Sequence, residues 1–321
     1  MSITLRIGTR ESELAVWQAK LVQTQLASCG FSSELVYIKS DGDIDLVTPL
    51  YELGVQGIFT KTLDAALLSK RIDIAVHSMK DVPTQLAKGI VQAAVLKRAS
   101  YKDLLVVNDN QNSEFRIQNL SYDTLHSKFK IQNSKFIIAT SSIRRKAQWL
   151  HRYPDAIIKN LRGNVNTRLR KVYESNWHGA IFAAAGLERI NLRPQNSIEL
   201  NWMLPAPAQG AIVMVCREDD TAGFEACKLL NDENTALCTK AERDFLRTLM
   251  GGCSTPISAL AEIKNDKLVF RGNIFSLNGK KNVQAEKEYS LQDADTAGIS
   301  AGNEVLLNGG KEIVEEIKYA K

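Results

Sequence analysis

Hydrophobic and polar positions along the first hundred residues switch between two periods. "ITLRIG" sets Ile3, Leu5 and Ile7 on one face and Arg6 on the other, a strand pattern. "TRESELAVWQAKLVQTQLASCG" then takes up the helical period, with Ser12 as candidate N-cap and Gly30 as C-terminal stop. "SELVYIK" reads as a second strand, "TKTLDAALLSK" as a second helix and "IDIAVHS" as a third strand. That order predicts a parallel or mixed sheet covered by helices. Between them, "SDGDIDLVTPLYELGVQGIF" has no clean period and holds Gly42, Pro49, Gly54 and Gly57, which predicts a long lid-like loop.

The pattern restarts near residue 100. A polar stretch over 108–135, rich in Asn, Gln and Ser, reads as a surface insertion. Strand "FIIAT", a helix from about Ile143, strand "AIIKN", helix "GNVNTRLRKVYES" and strand "AIFAAAG" follow. "LPAPAQGAIVMVC" reads as a Pro-rich crossing and a strand returning to the first set. From about residue 221 amphipathic helices give way to alternating segments such as "KLVFRGNIFSL". The expected fold class is α/β: one lobe from 1–99 and 211–228, a second from 100–210, and a smaller α+β C-terminal domain over 229–321.

Composition narrows the class. Hydrophobic residues are 44% and charged residues 24% of 321, as in ordinary globular proteins. The net charge of +5 suits an acidic small-molecule ligand and is too modest and dispersed to argue for nucleic acid. No stretch approaches the roughly 20 apolar residues of a membrane span. "MSITLRIGTRESELAV" shows neither a long apolar run nor a cleavage site, so no signal peptide and a cytoplasmic location are expected. The five cysteines are odd in number and widely spaced, which suits reduced thiols rather than a disulfide framework or zinc site; no metal is expected.

Basic residues recur where strands meet helices. Arg10 follows the first strand, Lys80 the third, Arg144 and Arg145 follow "FIIATSS", Arg162 follows "AIIKN", and Arg189 closes "AAAGLERI". In α/β sheets the crevice beyond the strands' carboxyl ends binds ligands. Guanidiniums converging there make bidentate contacts to carboxylates or phosphates. Arg144 and Arg145 enter the first turn of a helix, where the dipole favours negative charge, so a sizeable anion is called for. No G-x-x-x-x-G-K-[ST] or G-x-G-x-x-G loop is present, and Gly163 with Arg168 is a weak phosphate signal. Arginines in separate loops suit a ligand with many carboxylates. Asp81, beside Lys80, has two readings: a turn-forming residue, or a carboxylate that binds an N–H donor and stabilises developing positive charge. His77 is read as a satisfied histidine near the core. Cys253, in "LMGGCSTPI", is either an ordinary free thiol or a covalent attachment point that the glycines leave open to a bulky group.

The segments "LRIGTRESELA", "DIAVHSMKDVPT", "TSSIRRKAQ", "LRGNVNTRL", "AAAGLERI", "LPAPAQGAI" and "GGCSTPI", in this order, resemble the porphobilinogen deaminase (hydroxymethylbilane synthase) family across nearly the whole chain. The resemblance implies a transferase that joins four porphobilinogen molecules head to tail, releasing ammonia, into the linear tetrapyrrole hydroxymethylbilane of porphyrin and haem biosynthesis. It implies a dipyrromethane cofactor held by a thioether to Cys253, and acetate and propionate groups on every ring as the anion. Asp81 matches the catalytic carboxylate. Lys80, Ser142, Arg144 and Arg145 match residues that hold the cofactor's acid groups; Arg10, Ser12, Arg162, Arg168 and Arg189 match the substrate and elongation site, and Arg6 a further basic position in the cleft. The implied fold is two lobes like type II periplasmic binding proteins, with the cleft between them and the cysteine loop on the third domain. A monomer is implied, without nucleic-acid or membrane partners.

Two departures stand out. Where the family's lid commonly carries lysines, this chain has "ELGVQG", so Glu52 and Gln56 replace positive charge and Lys61 follows. The insertion around 108–135 is longer than usual. Beside the transferase stand a non-catalytic two-lobed binding protein for a polycarboxylate and, last, a phosphate-ester enzyme using the "TSSIRR" helix entry.

Overall fold

The computed structural model describes residues 4–39, 60–110, 136–249 and 255–319. The lid expectation with Glu52 and Gln56, residues 111–135 of the insertion, and Cys253 lie outside the described residues.

The first sheet comprises β1 (Leu5–Thr9), β2 (Ser33–Tyr37), β3 (Ile74–Ser78), β4 (Ile90–Val95) and β10 (Ile212–Arg217), in the order β2-β1-β3-β10-β4. β1 runs parallel to β2 and β3, and β10 is antiparallel to β3 and β4. One face packs Leu5, Ile7 and Ile74 against α1 (Glu13–Ser28) and α6 (Thr221–Lys228) through Ala19, Val22, Leu26, Ala226 and Cys227. The other packs Ala75, Val95, Val213 and Val215 against Leu63, Ala66 and Leu67 of α2 (Lys61–Leu68). Both faces are covered, so β10, "IVMVCR", is apolar along nearly its whole length rather than alternating.

The second sheet repeats the plan with β5 (Asp103–Val107), β6 (Ile137–Ala139), β7 (Ile157–Lys159), β8 (Gly179–Ala183) and β9 (Ser197–Glu199), ordered β7-β6-β8-β5-β9. β6 is parallel to β7 and β8; β5 is antiparallel to β8 and β9. Trp149 of α3 (Ile143–Arg152) covers one face. Val172 of α4 (Val165–Glu174) and Ala184 and Leu187 of α5 (Ala184–Glu188) cover the other. "AIFAAAG", expected as one strand, breaks at Ala183 into strand and helix. Small residues tolerate either state, and β8 ends where its antiparallel partner β5 begins.

The chain crosses between lobes twice, from β4 to β5 and from β9 to β10. The crossings touch: Ala99 N–H donates to the Gly210 carbonyl at 3.1 Å. Gly210 has φ +89°, and a Cβ there would lie 2.7 Å from the Ser100 oxygen and 2.8 Å from that of Ala99. Only glycine fits this crossing.

α7 (Glu233–Thr248), α8 (Ala297–Val305) and α9 (Lys311–Tyr319) pack on the antiparallel sheet β11 (Ile257–Lys264), β12 (Lys267–Phe275) and β13 (Asn282–Ser290) around Phe245 and Phe270. Glu242 of α7, fully buried, accepts from Arg98 Nη1 and Nη2 (2.6 and 2.9 Å), from Ala208 N–H (2.6 Å) and from Ala261 N–H (2.8 Å). One carboxylate thus ties both crossings to β11. The fold is two α/β lobes plus a smaller domain, as expected. No helix among the described residues is long and apolar enough to cross a membrane.

Candidate active site

The parallel strands set the site. β1 and β3 end at Thr9 and Ser78, and β6, β7 and β8 at Ala139, Lys159 and Ala183. Arg10, Lys80, Asp81, Ser142, Arg144, Arg145 and Arg162 all follow such ends. The antiparallel strands start at the same edges, because Ile212 pairs with Ser78 and Asp103 with Ala183.

On the first lobe, Ser12 caps α1 through its backbone, its carbonyl accepting from Val16 N–H at 2.9 Å, and its hydroxyl makes no cap bond. After β3 the chain forms a 3-10 turn, Met79–Asp81. Met79 N–H donates to Ala211 O (3.0 Å), and Gln18 of α1 donates to the Ser78 hydroxyl (2.8 Å). Lys80 Nζ reaches Gln209 Oε1 at 3.3 Å. His77, buried on β3, is pushed down to about 4 by burial and by Arg10, and is therefore neutral.

On the second lobe, Ser142 is the N-cap of α3, its hydroxyl accepting from Arg145 N–H at 3.4 Å. The helix turns Arg144 and Arg145 inward, onto Asp103. Arg144 Nη1 lies 2.8 Å from Asp103 Oδ2; Arg145 donates from Nε and Nη2 to Oδ1, at 3.1 and 2.7 Å. Gln209 Nε2 donates to the same Oδ1 at 2.9 Å. Burial alone would raise the Asp103 pKa, but Arg144 and Arg145 hold it well below the usual carboxylate range. An internal anion therefore answers part of the conflict between two arginines and a helix dipole.

The loops after β6 and β7 are joined by Ser141, whose hydroxyl donates to Leu161 O (2.6 Å) and accepts from Leu161 N–H (2.9 Å), just before Arg162. Arg168, in α4, donates to Gly163 O at 2.6 Å. Arg189 donates to Gly210 O at 2.7 Å and stacks on the Trp17 ring of the first lobe at 5.8 Å.

Gln209 and Asp103 link Lys80 to Arg144 and Arg145, and Asp81 stands next to Lys80 on the turn. The charges of Arg145, Arg162, Asp81 and Arg10, from both lobes, all act on Arg168. Arg189 sits at the crossings. Arg6 is apart. It lies at the start of β1, about 13 Å along the strand from Arg10 at some 3.3 Å per residue. There it grips Asp73 through Nε (2.9 Å) and Nη2 (2.8 Å), with Arg217 on the same carboxylate.

Sequence reading passed over Asp103, Gln209 and Ser141. Asp103 opens the apolar "DLLVV", and a carboxylate leading a wholly buried strand was the available signal. Gln209 stands in the quoted "LPAPAQGAI"; Ser141 carries no signal until the two loops meet.

The donor set fits a group with several carboxylates. Burial lowers Lys80 to about 8, with Asp81 and Asp103 opposing and Arg145 and Arg144 adding to the fall. Burial, Arg145 and Arg162 lower Arg168 to about 10. An acidic ligand relieves both. Among the described residues, Asp81 and Asp103 are carboxylates whose charge acts on these cations, and Asp103 is already engaged.

A family model for porphobilinogen deaminase, dipyromethane cofactor binding domain, matches residues 5–225. A second, for the porphobilinogen deaminase C-terminal domain, matches 236–307. Among solved structures the chain is similar to the methionine binding protein MetQ, at 13% identity and TM-score 0.43, over 71% of this chain and 89% of that one. It is also similar to the Bordetella pertussis BvgS VFT2 domain, at 10% identity and TM-score 0.39, over 70% and 85%. With matches spanning lobes and C-terminal domain alike, the chain belongs to the porphobilinogen deaminase family, whose cofactor is a dipyrromethane.

Proposed function

We propose that the protein is a hydroxymethylbilane synthase, joining four porphobilinogen molecules head to tail with loss of ammonia. The observation that supports the reading is the run of contacts from the turn bearing Asp81 to the second lobe, Lys80 to Gln209 at 3.3 Å, Gln209 to Asp103 at 2.9 Å and Asp103 to Arg145 at 2.7 Å, in a chain of this family. The dipyrromethane, attached at Cys253, supplies when bound the pyrrole carbon to which the first substrate ring is joined.

The chain's own residues bind, orient and move charge. Lys80, Ser142, Arg144 and Arg145 hold the cofactor's acid groups, and Arg10, Ser12, Arg162, Arg168 and Arg189 hold substrate and growing chain. Charge-assisted contacts of this kind contribute about 1.5–3 kcal/mol each when shielded from water. Asp81 accepts a pyrrole N–H, stands opposite the positive charge that develops as ammonia leaves, and takes part in the proton transfers. Gln209 and Asp103 keep the cationic groups of both lobes in fixed relation.

Purified protein is incubated with porphobilinogen, and ammonia and the uroporphyrin absorbance after cyclisation and oxidation are followed. Intact mass is measured on wild type and Cys253→Ser. Turnover, with a two-pyrrole adduct absent from Cys253→Ser, is the expected result. Product made by protein of bare mass overturns the covalent attachment. Binding of porphobilinogen without turnover points instead to a two-lobed binding protein.

A further inference from the structure

The turn that bears Asp81 is held from an unexpected direction. Arg243, on α7 of the C-terminal domain, donates from Nη1 to the Val82 carbonyl at 2.9 Å and to that of Met79 at 3.4 Å. Its Nη2 donates to the Pro83 carbonyl at 2.6 Å. These three carbonyls flank Lys80 and Asp81. The turn has one further internal bond, Val82 N–H to Met79 O at 3.2 Å. Arg243 therefore closes the downstream side of a turn whose upstream side rests on Ala211 and Gln18.

The neighbour of Arg243 is Glu242, the carboxylate that grips both crossings. Successive residues of one helix thus seize two different parts of the lobes. Glu242 fixes the crossings on which Gln209 stands, and Arg243 fixes the turn on which Asp81 stands. The same helix leads in sequence, five residues past its last one, to Cys253. Guanidinium is the group suited to this task, because its fork of donors can satisfy several carbonyls at once.

We propose that Arg243 is a positioning residue for Asp81: through the carbonyls of Met79, Val82 and Pro83 it sets where the carboxylate stands in the cleft. The proposal rests on the reading of Asp81 given above. Among the described residues, the Arg243 guanidinium bonds the backbone carbonyls of the turn. Its effect is geometric, and a displacement of the order of 1 Å at a reacting group costs about 10²-fold in rate.

The test uses the cofactor-loaded, full-length protein and the variants Arg243→Ala and Arg243→Lys. Four readouts are taken: intact mass, kcat and KM for porphobilinogen, amide hydrogen exchange by peptide, and rescue by millimolar guanidinium ion. In Arg243→Ala the adduct mass is retained and kcat falls about 10²-fold, with KM changed less than threefold. Exchange rises in the peptide covering 79–83 while peptides of β12 and β13 stay as in wild type. Arg243→Lys, which can reach fewer carbonyls, lies between, and guanidinium restores part of the kcat of the alanine variant while urea does not.

Unchanged exchange over 79–83 overturns the proposal whether or not the protein turns over porphobilinogen. An equal rise across the whole chain in both variants, or loss of the adduct mass, also overturns it, since the residue would then serve global folding or loading. Absence of turnover in wild type counts against the enzymatic reading alone, and the exchange result still decides the anchoring of the turn.

Discussion

Arg145 sets two nitrogens on a single carboxylate oxygen of Asp103, Nε at 3.1 Å and Nη2 at 2.7 Å, with Asp103 fully buried and Arg145 7% exposed. With Arg144 on the second oxygen, one carboxylate faces two guanidiniums. Such a group is costly to remove, because the cations stay behind.

Asp103→Asn leaves Arg144 and Arg145 buried without their counter-charge. Breaking a buried pair by removing one partner costs about 3–5 kcal/mol. The urea midpoint should fall accordingly, and a change below 1 kcal/mol would show that the pair is well solvated.

Acid should act through the same group. Asp103 is held below its ordinary value of 3.8, so its stabilisation is complete above that pH and is lost as pH falls toward the folded value. Unfolding free energy measured from pH 6 to pH 2 should drop more steeply in wild type than in Asp103→Asn.

Lys80 sets a limit on the alkaline side. Its value of about 8 lies below the ordinary 10.5, and an anionic ligand prefers the charged form. Affinity for a permanently ionised probe, benzene-1,3,5-tricarboxylate, should therefore fall as pH rises through about 8, approaching tenfold per unit. Titration calorimetry on Lys80→Gln should show a flatter profile.

Gln209→Leu removes the bridge from Lys80 to Asp103. A buried hydrogen-bonded group left unsatisfied costs about 1–3 kcal/mol. A lowered melting point together with at least a tenfold loss of kcat/KM for porphobilinogen is expected, and full activity would show that the lobes hold their cations in place without it.

Asp81→Asn keeps the size of the side chain and removes its charge. Loss of one preorganised electrostatic group costs about 10²–10³ in kcat. Steady-state ammonia release is the measurement, and a kcat within threefold of wild type would deny Asp81 its role.

The parts legible in sequence were those with a local cause. Ser12 capping α1 and the strand-to-helix changes after Thr9 and Ala139 follow from periodicity and caps. The cations at strand ends were visible because each stands beside its own strand. Asp103 and Gln209 were not: Asp103 opens β5 and Gln209 lies on the crossing that leads to β10, and only closure of the two lobes puts them beside Lys80 and Arg145. β4 and β5 themselves, "IVQAAV" and "DLLVV", lack alternation because they are covered on both faces or nearly so. Arg6 shows the converse: it lies on the strand that leads to Arg10, and nothing local says that Asp73 waits beside it.

The exchange of strands bears on synthesis. β5 to β9 are consecutive among the described strands, so those strands of the second sheet are all present once residue 199 has left the ribosome. The first sheet has a gap between β3 and β4 until β10 emerges, more than a hundred residues after β4 was made. The lobe made first is therefore completed last, and a nascent chain stalled before residue 212 carries two strands with open edges for a chaperone to shield.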